Sequence, residues 1–418
     1  MFVRYGDRFW MSHPTAFDPG CGRGEFLVVW ADMLREHGCA DISNKIYWAD
    51  ISPINVRLVA ARLNIDINNG FLYNASSNGG TAESFNKGLE NMVFDINKVH
   101  VVGNLPFTSG QGKAPVAIPI MLKLLEKGTP QSINLVQHTG FMPSKDYTEF
   151  RTALYNAGLK RITMNRVDLF KDSDAKVRTA DLYCEVGYSG DITVDSLSGE
   201  TYTFDYRFND IIVDGGSKEL TEFLYSLLDK VKLYGCLVDR NTQSSKGSNP
   251  SADECDKVSI DSPKKGYAPY LSKSTIKGQI IKYAPADIFK WSDDLTNYRG
   301  VHGYRPSGLE YGDMRIGLTT IVSPGIHLPA HPNRYFPGTP TKEHATYLDN
   351  YIHSGVIERF VLPMTRENKT FDAKTPDGVT KFIPKLPAGV KIENDNDVFD
   401  FLGTPEPIRK AVRANYRY

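Results

Sequence analysis

Ala16-Phe17-Asp18-Pro19-Gly20-Cys21-Gly22-Arg23-Gly24-Glu25-Phe26-Leu27-Val28-Val29-Trp30 runs from an apolar strand end through a glycine-rich turn into a helix start. Glycines at such a junction let the backbone turn sharply and come close to a ligand. Alone, this turn fits many cofactor-binding folds. A second segment narrows the choice: the apolar run Val99-His100-Val101-Val102 leads into Gly103-Asn104-Leu105-Pro106-Phe107. An amide, a proline and an aromatic ring following a strand can hold a planar amine. Taken alone, they also read as an ordinary turn, because Asn and Pro are turn residues.

Working outward from these stretches, apolar strand-like runs alternate with helix-like segments from Phe17 to about Asp195, the pattern of an α/β domain with a mostly parallel sheet. The spacing predicts a helix over 25–37, with Phe26, Val29, Trp30, Met33 and Leu34 on one face. A strand over 45–49 ends at Asp50, and Pro53 opens a helix through Leu63. Strands follow at 99–103 and 132–137, with helices from after Pro115 to Lys127 and over 147–157. Residues 180–186 alternate apolar and polar, as a strand at the far side of the sheet would. Beyond Asp195 the rhythm becomes turn-rich and β-leaning, with a polar loop over 241–266, a strand-turn-strand over 319–328 and a helix over 342–354. The expected division is therefore 1–195 and 196–418.

A chain of 418 residues, 41% of them hydrophobic, can bury a sizeable core and favours two or three domains. Cys21, Cys39, Cys184, Cys236 and Cys255 are scattered without CxxC pairs, so neither a zinc site nor a disulfide framework is indicated, and no metal is expected. No run reaches the roughly 20 apolar residues of a membrane helix, and Met1-Phe2-Val3-Arg4-Tyr5 lacks a signal-peptide core, so the chain reads as soluble and cytoplasmic. The 49 Lys and Arg balance 49 Asp and Glu, which excludes a wholly basic nucleic-acid binder but leaves room for a local basic face. Candidates are Lys264, Lys265, Lys273, Lys277 and Lys282, and Arg409, Lys410, Arg413 and Arg417; for any one of them a solvated surface is the simpler account.

Together the two motifs resemble those of S-adenosylmethionine-dependent amino-methyltransferases, and among them the adenine-N6 DNA methyltransferases of type II restriction-modification systems and phages. Asp18 to Gly24 is similar to their cofactor loop. Asn104 to Phe107 is similar to their catalytic tetrapeptide, usually Asn-Pro-Pro-Tyr or Asn-Pro-Pro-Phe, with Leu105 in second place here. Farther on, residues 345–354, Lys381-Phe382-Ile383-Pro384, and Asp397 to Gly403 with Glu406 resemble the family's tail more loosely. The resemblance implies a Rossmann-like methyltransferase catalytic domain in 1–195 and a mixed α+β target-recognition domain in 196–418. It implies methyl transfer to the exocyclic N6 of an adenine flipped out of a specific double-stranded DNA sequence, in a bacterial or phage-infected cell, with a restriction endonuclease as a potential partner.

By the same resemblance, Asp18 meets the methionine ammonium, and Gly20, Gly22 and Gly24 close backbone amides around the cofactor. Asp50, with Ile51 beside it, stands where the fold places a ribose-binding carboxylate, and the glycine loop upstream favours that role; an acid favoured by a helix N-terminus is the alternative. Where the family carries an acid facing the cofactor's adenine, this chain has Asn68-Asn69-Gly70-Phe71-Leu72, so Asn69 and Phe71 are the candidates, a structural turn being the alternative for Asn69. The Asn104 side-chain oxygen and the Leu105 carbonyl would accept the two amine protons, Pro106 would stiffen the loop, and Phe107 would stack on the base. His138 and Asp168 lie near strand ends, and Phe141, Phe170 and Tyr183 are candidates for pocket walls or core. An RNA adenine methyltransferase, a glutamine-methylating enzyme and a catalytically inactive DNA-binding specificity subunit are the alternatives. The family's upstream helix and Thr-Pro element are not visible in Met1 to Thr15, so the chain is expected to be a fragment, to complete its pocket otherwise, or to bind cofactor weakly.

Overall fold

The computed structural model describes residues 5–74, 80–92, 94–105, 117–143, 147–165, 179–206, 211–237, 250, 252–275, 278–289, 295–306, 314–316, 320–328, 334–335, 338–365 and 382–416. The chain forms two compact units, Met1–Ile212 and Val213–Tyr418. In the first, α1 (Asp7–Met11), β1 (Thr15–Asp18), α2 (Glu25–Glu36), β2 (Ile46–Asp50), α3 (Pro53–Leu63), β3 (Gly70–Leu72), α4 (Gly80–Glu90), β4 (Val99–Asn104), α5 (Ala117–Lys127) and β5 (Ser132–His138) alternate strand and helix. Then come α6 (Thr148–Asn156), β6 (Leu159–Met164), β7 (Thr179–Glu185), β8 (Ile192–Asp195) and β9 (Thr201–Phe204).

These nine strands form one sheet in the order β3-β2-β1-β4-β5-β7-β6-β8-β9. The first five are mutually parallel. The order runs outward from β1 through β2 to β3, then resumes on the other side with β4. That reversal opens a crevice beyond the carboxyl ends of β1 and β4, where ligands of open α/β sheets bind. The architecture is Rossmann-like. β7 is not at the far side of the sheet but runs antiparallel between β5 and β6. Its alternation arises because Ala180, Leu182 and Cys184 are buried while Asp181, Tyr183 and Glu185 are only partly covered. The β8–β9 hairpin continues the sheet past Asp195, which carries the first unit on to Ile212.

The helices obey local rules. α2 buries Leu27, Trp30, Ala31 and Leu34, a stripe of i, i+3, i+4, i+7 against Ala16, Ile46, Trp48 and Val102. Val29, expected on that face, is 47% exposed. α3 starts with Pro53 at its first position, is capped by the Ser52 hydroxyl accepting from the Asn55 N–H, and ends on the left-handed Asn64.

The second unit is mixed α+β. It begins with α7 (Lys218–Tyr234), a 17-residue helix within a region whose turn-rich sequence suggested strands. Ser217 caps α7, and Leu220, Phe223, Leu224 and Leu227 form its buried stripe, so the helical period was present but short among polar residues. After α8 (Ala252–Lys257), β10 (Tyr267–Thr275) and β11 (Gly278–Pro285) form an antiparallel hairpin. β12 (Tyr298–Pro306) pairs with β13 (Met314–Ile316), β14 (Thr320–Val322), β15 (Arg334–Tyr335) and β16 (Gly338–Thr339). α9 (Lys342–Ile352), a π-helical stretch Gly355–Val361, α10 (Leu362–Thr365), α11 (Asp395–Leu402) and α12 (Glu406–Ala414) complete it. α11 carries a capping box of Asn394 and Asp397 and stops at Gly403, φ 67°. Among the described residues no helix is long and apolar enough to cross a membrane.

Candidate cofactor and amine site

β1 ends in Asp18, β2 in Asp50 and β4 in Asn104, all at the carboxyl edge beside the crevice. Asp18 is 1% exposed, and its Oδ1 accepts the Gly20 N–H at 3.0 Å. A Cβ on Gly103 would lie 2.4 Å from that oxygen, so only glycine lets the ends of β1 and β4 come this close. Burial pushes the Asp18 carboxyl up to about 8; the nearby Asp50 adds to this and the Gly20 N–H opposes it. Among the described residues no ion pair neutralises this buried acid.

The glycine loop is fixed by its neighbours. Gly22 and Gly24 have φ of 52° and 80°, and a Cβ on Gly24 would lie 2.8 Å from Cγ2 of Val59 on α3. Asp50, 6% exposed, tethers the loop: Oδ2 accepts the Gly22 N–H at 2.8 Å and the Cys21 thiol at 3.8 Å. Its Oδ1 accepts the Ser52 N–H at 2.8 Å and the Asn55 amide at 3.1 Å, so it also serves the start of α3. Burial pushes the Cys21 thiol up, which keeps it protonated. Ile51, 46% exposed, offers an apolar surface at the same edge.

Asn104 is paired with Val136 of β5, and Leu105 after it is buried. The Asn104 Oδ1 is buried without a hydrogen-bond partner among the described residues. A buried acceptor left unpaired costs about 1–3 kcal/mol, so this oxygen is suited to take a donor. Pro106, Phe107, Asp168 and Phe170 lie outside the described residues. His138 accepts the Gly140 N–H through Nδ1 at 2.8 Å and caps a short 3-10 turn. Phe141 is core, edge-on to Phe150 at 6.0 Å. Tyr183 pairs with Asn134, toward the amino ends of the sheet, and its hydroxyl donates to Glu185 at 3.0 Å.

Two candidates are not brought to the site. Asn69 precedes β3, and its amide donates to the carbonyls of Ser43 and of Ile46 (3.0 Å), pinning the start of β2 at the opposite edge. Phe71 points into the core, with its ring 6.2 Å from Phe17 and 5.5 Å from Phe85, under Gly88 of α4. The residues of this segment that do reach the edge are the next two, Tyr73 and Asn74. Tyr73 is buried, and its hydroxyl donates to the Pro19 carbonyl at 3.1 Å while its N–H donates to the Asp50 carbonyl at 3.1 Å. In the sequence it is marked only as an aromatic with one polar atom at a strand end.

In the second unit, Lys264 sits 5.3 Å from the Tyr267 ring and Lys265 is exposed, whereas Lys282 lies 3.9 Å from Asp256. Arg409 pairs with Asp400 at 2.5 Å, and Arg413 donates to Asn396. The side chain of Lys273 and the residues Lys277 and Arg417 lie outside the described part.

The strand order, the switch point and the glycine loop define a Rossmann-like fold. No family model matches the sequence, and no curated protein matches it. Among solved structures, the chain is similar to a type I restriction-modification methyltransferase subunit from Streptococcus thermophilus, at 14% identity over 44% of this chain and 42% of that one, TM-score 0.33. It is similar to the M protein of the type I restriction enzyme EcoKI, at 15% identity over 46% and 48%, TM-score 0.34. It is also similar to the type IIL restriction-modification enzyme MmeI in complex with DNA, at 12% identity over 84% and 59%, TM-score 0.45. The chain spans under two thirds of the length of each. At such distances, a role for this chain has to rest on its own residues.

Proposed function

We propose that the chain transfers a methyl group from S-adenosylmethionine to the exocyclic N6 of an adenine in DNA, in the cytoplasm of a bacterial or phage-infected cell. The observation that carries this reading is the buried Asn104 Oδ1 at the switch point, without a hydrogen-bond partner among the described residues and one residue from the glycine that lies against Asp18. The edge fits the cofactor: Asp18 is a buried acid that wants a cation, Gly103 and Gly24 keep their neighbours close, and Ile51 offers an apolar surface. When bound, S-adenosylmethionine supplies an electrophilic methyl on a sulfonium. Asp18 holds the ammonium end, and Asp50 exchanges its weak thiol contact for a ribose hydroxyl. Asn104 Oδ1 and the Leu105 carbonyl accept the two amine hydrogens, which opposes delocalisation of the nitrogen lone pair into the ring and aims it at the methyl. Pro106 restrains the loop and Phe107 stacks on the extruded base. The second unit, with the region from 196 onward, reads the DNA sequence.

Asn104→Ala removes an acceptor that acts mainly as the nitrogen becomes tetrahedral. Turnover should therefore fall by two or more orders of magnitude while cofactor and DNA still bind. Labelled S-adenosylmethionine with duplex DNA, followed by nucleoside analysis, reads both rate and product. Robust turnover by Asn104→Ala, or methylated cytosine, RNA or glutamine as the product of the unaltered protein, overturns the reading.

A further inference from the structure

Tyr73 lies one residue beyond β3, buried, with its ring edge-on to Phe85 at 5.3 Å. Its hydroxyl donates to the Pro19 carbonyl at 3.1 Å, and the N–H of Gly20, the next residue, donates to Asp18 Oδ1 at 3.0 Å. The Pro19 carbonyl and the Gly20 N–H belong to one planar peptide unit, which cannot rotate about its own C–N bond. Tyr73 therefore grips one end of this unit and Asp18 the other. The rest of the loop is held from elsewhere: the Cys21 N–H by Ala49 at 2.9 Å, the Gly22 N–H by Asp50, and the Arg23 carbonyl by Arg62 at 2.6 Å. Pro19–Gly20 is the peptide that sets the Asp18 carboxylate, and the side chain reaching its carbonyl comes from the residue just past the end of β3.

We propose that Tyr73 is a positioning residue for cofactor capture: through the Pro19–Gly20 peptide it orients the Asp18 carboxylate for the cofactor's ammonium. The inference rests on the S-adenosylmethionine reading above. Without the hydroxyl, the Pro19 carbonyl loses its buried donor and the peptide can tilt, so Asp18 samples orientations in which its second oxygen does not face the ligand. A grip on a peptide that touches only the ammonium end leaves the amine acceptors untouched. The effect therefore belongs in cofactor affinity and not in turnover at saturation.

Full-length Tyr73→Phe, Phe85→Leu and unaltered protein are compared by calorimetry with S-adenosylmethionine, by steady-state methylation of duplex DNA and by thermal melting. Tyr73→Phe should weaken cofactor binding about five- to twentyfold and raise its KM in parallel, with kcat within about twofold. Phe85→Leu, which disturbs the same ring without removing the hydroxyl, should lower the melting temperature at least as much and leave cofactor affinity nearly unchanged. Equal affinity of Tyr73→Phe and unaltered protein, or an equal loss in Phe85→Leu, overturns the proposal. Failure of the unaltered protein to bind S-adenosylmethionine overturns the cofactor reading itself, a distinct result.

Discussion

At the scale of single residues, two groups of the crevice lack a partner among the described residues: Asp18 a cation and Asn104 Oδ1 a donor. A carboxyl pushed up to about 8 by burial is largely protonated at neutral pH, whereas a bound ammonium favours the ionised form. S-adenosylmethionine affinity should therefore rise with pH, by at most about tenfold per unit, up to about 8, and fall again as the ligand's own ammonium loses its proton; calorimetry across pH 6–9 reads it. The same shift bears on folding with the opposite sense. Because the folded value lies above the unfolded one, stability is fully present below about pH 4 and is lost as pH rises toward 8. Asp18→Asn should raise the melting temperature of the ligand-free protein at pH 8 and at the same time abolish cofactor binding. A variant no more stable than the unaltered protein at that pH would remove the strain assigned to Asp18. These acids were legible in the sequence as strand-end residues, but their burial and the missing cation were not, since both depend on which strand ends converge.

At the scale of elements, the turn between β1 and α2 works only with glycine at Gly24. Its φ of 80° disfavours any side chain, and a methyl group would press on Val59 of α3 at 2.8 Å. Gly24→Ala should cost about 1–3 kcal/mol of stability, seen as a lower denaturant midpoint, with partial recovery in the Gly24→Ala, Val59→Ala double variant. An additive double variant would leave backbone strain as the sole cause. The helix α3 illustrates how much local rules fix: Ser52, Pro53 and Asn64 mark its bounds without reference to the rest of the chain. β7 illustrates the reverse, because alternation reports how covered each face is and not where a strand stands in the sheet. Phe71 belongs with it; an aromatic on a short strand faces either the ligand or the core, and the Phe17–Phe85 cluster under α4 decided for the core.

At the scale of the whole molecule, each unit yields a test. In the first unit, His100 sits among Tyr5, Phe9 and Trp30, and burial holds its imidazole down at about 4. Its folded value is below the ordinary 6.5, so the unfolded chain takes up the proton first as pH falls. Stability should drop by up to roughly 3 kcal/mol between about pH 6.5 and 4, and His100→Gln should flatten that part of the melting profile. In the second unit, Lys264 and Lys265 are the accessible pair on the β10 side. If this region recognises DNA, replacing both by Ala should weaken binding across sequences and reduce the salt slope by about 2. An unchanged slope would place the phosphate contacts elsewhere.

The sequence by itself determined the alternation of strands and helices, the bounds of α3, and the candidate pair of glycine loop and Asn-Leu-Pro-Phe segment, because capping, turn chemistry and periodicity act over a few residues. It also placed Asp18, Asp50 and Asn104 at strand ends. Only the tertiary structure decided that the ends of β1 and β4 meet at a switch point, that Asn69 serves the opposite edge, and that Tyr73 reaches Pro19 across 54 positions of chain. Those facts depend on strand order, and strand order is set by which apolar faces can be buried together over the whole sheet, a property no short stretch of sequence contains.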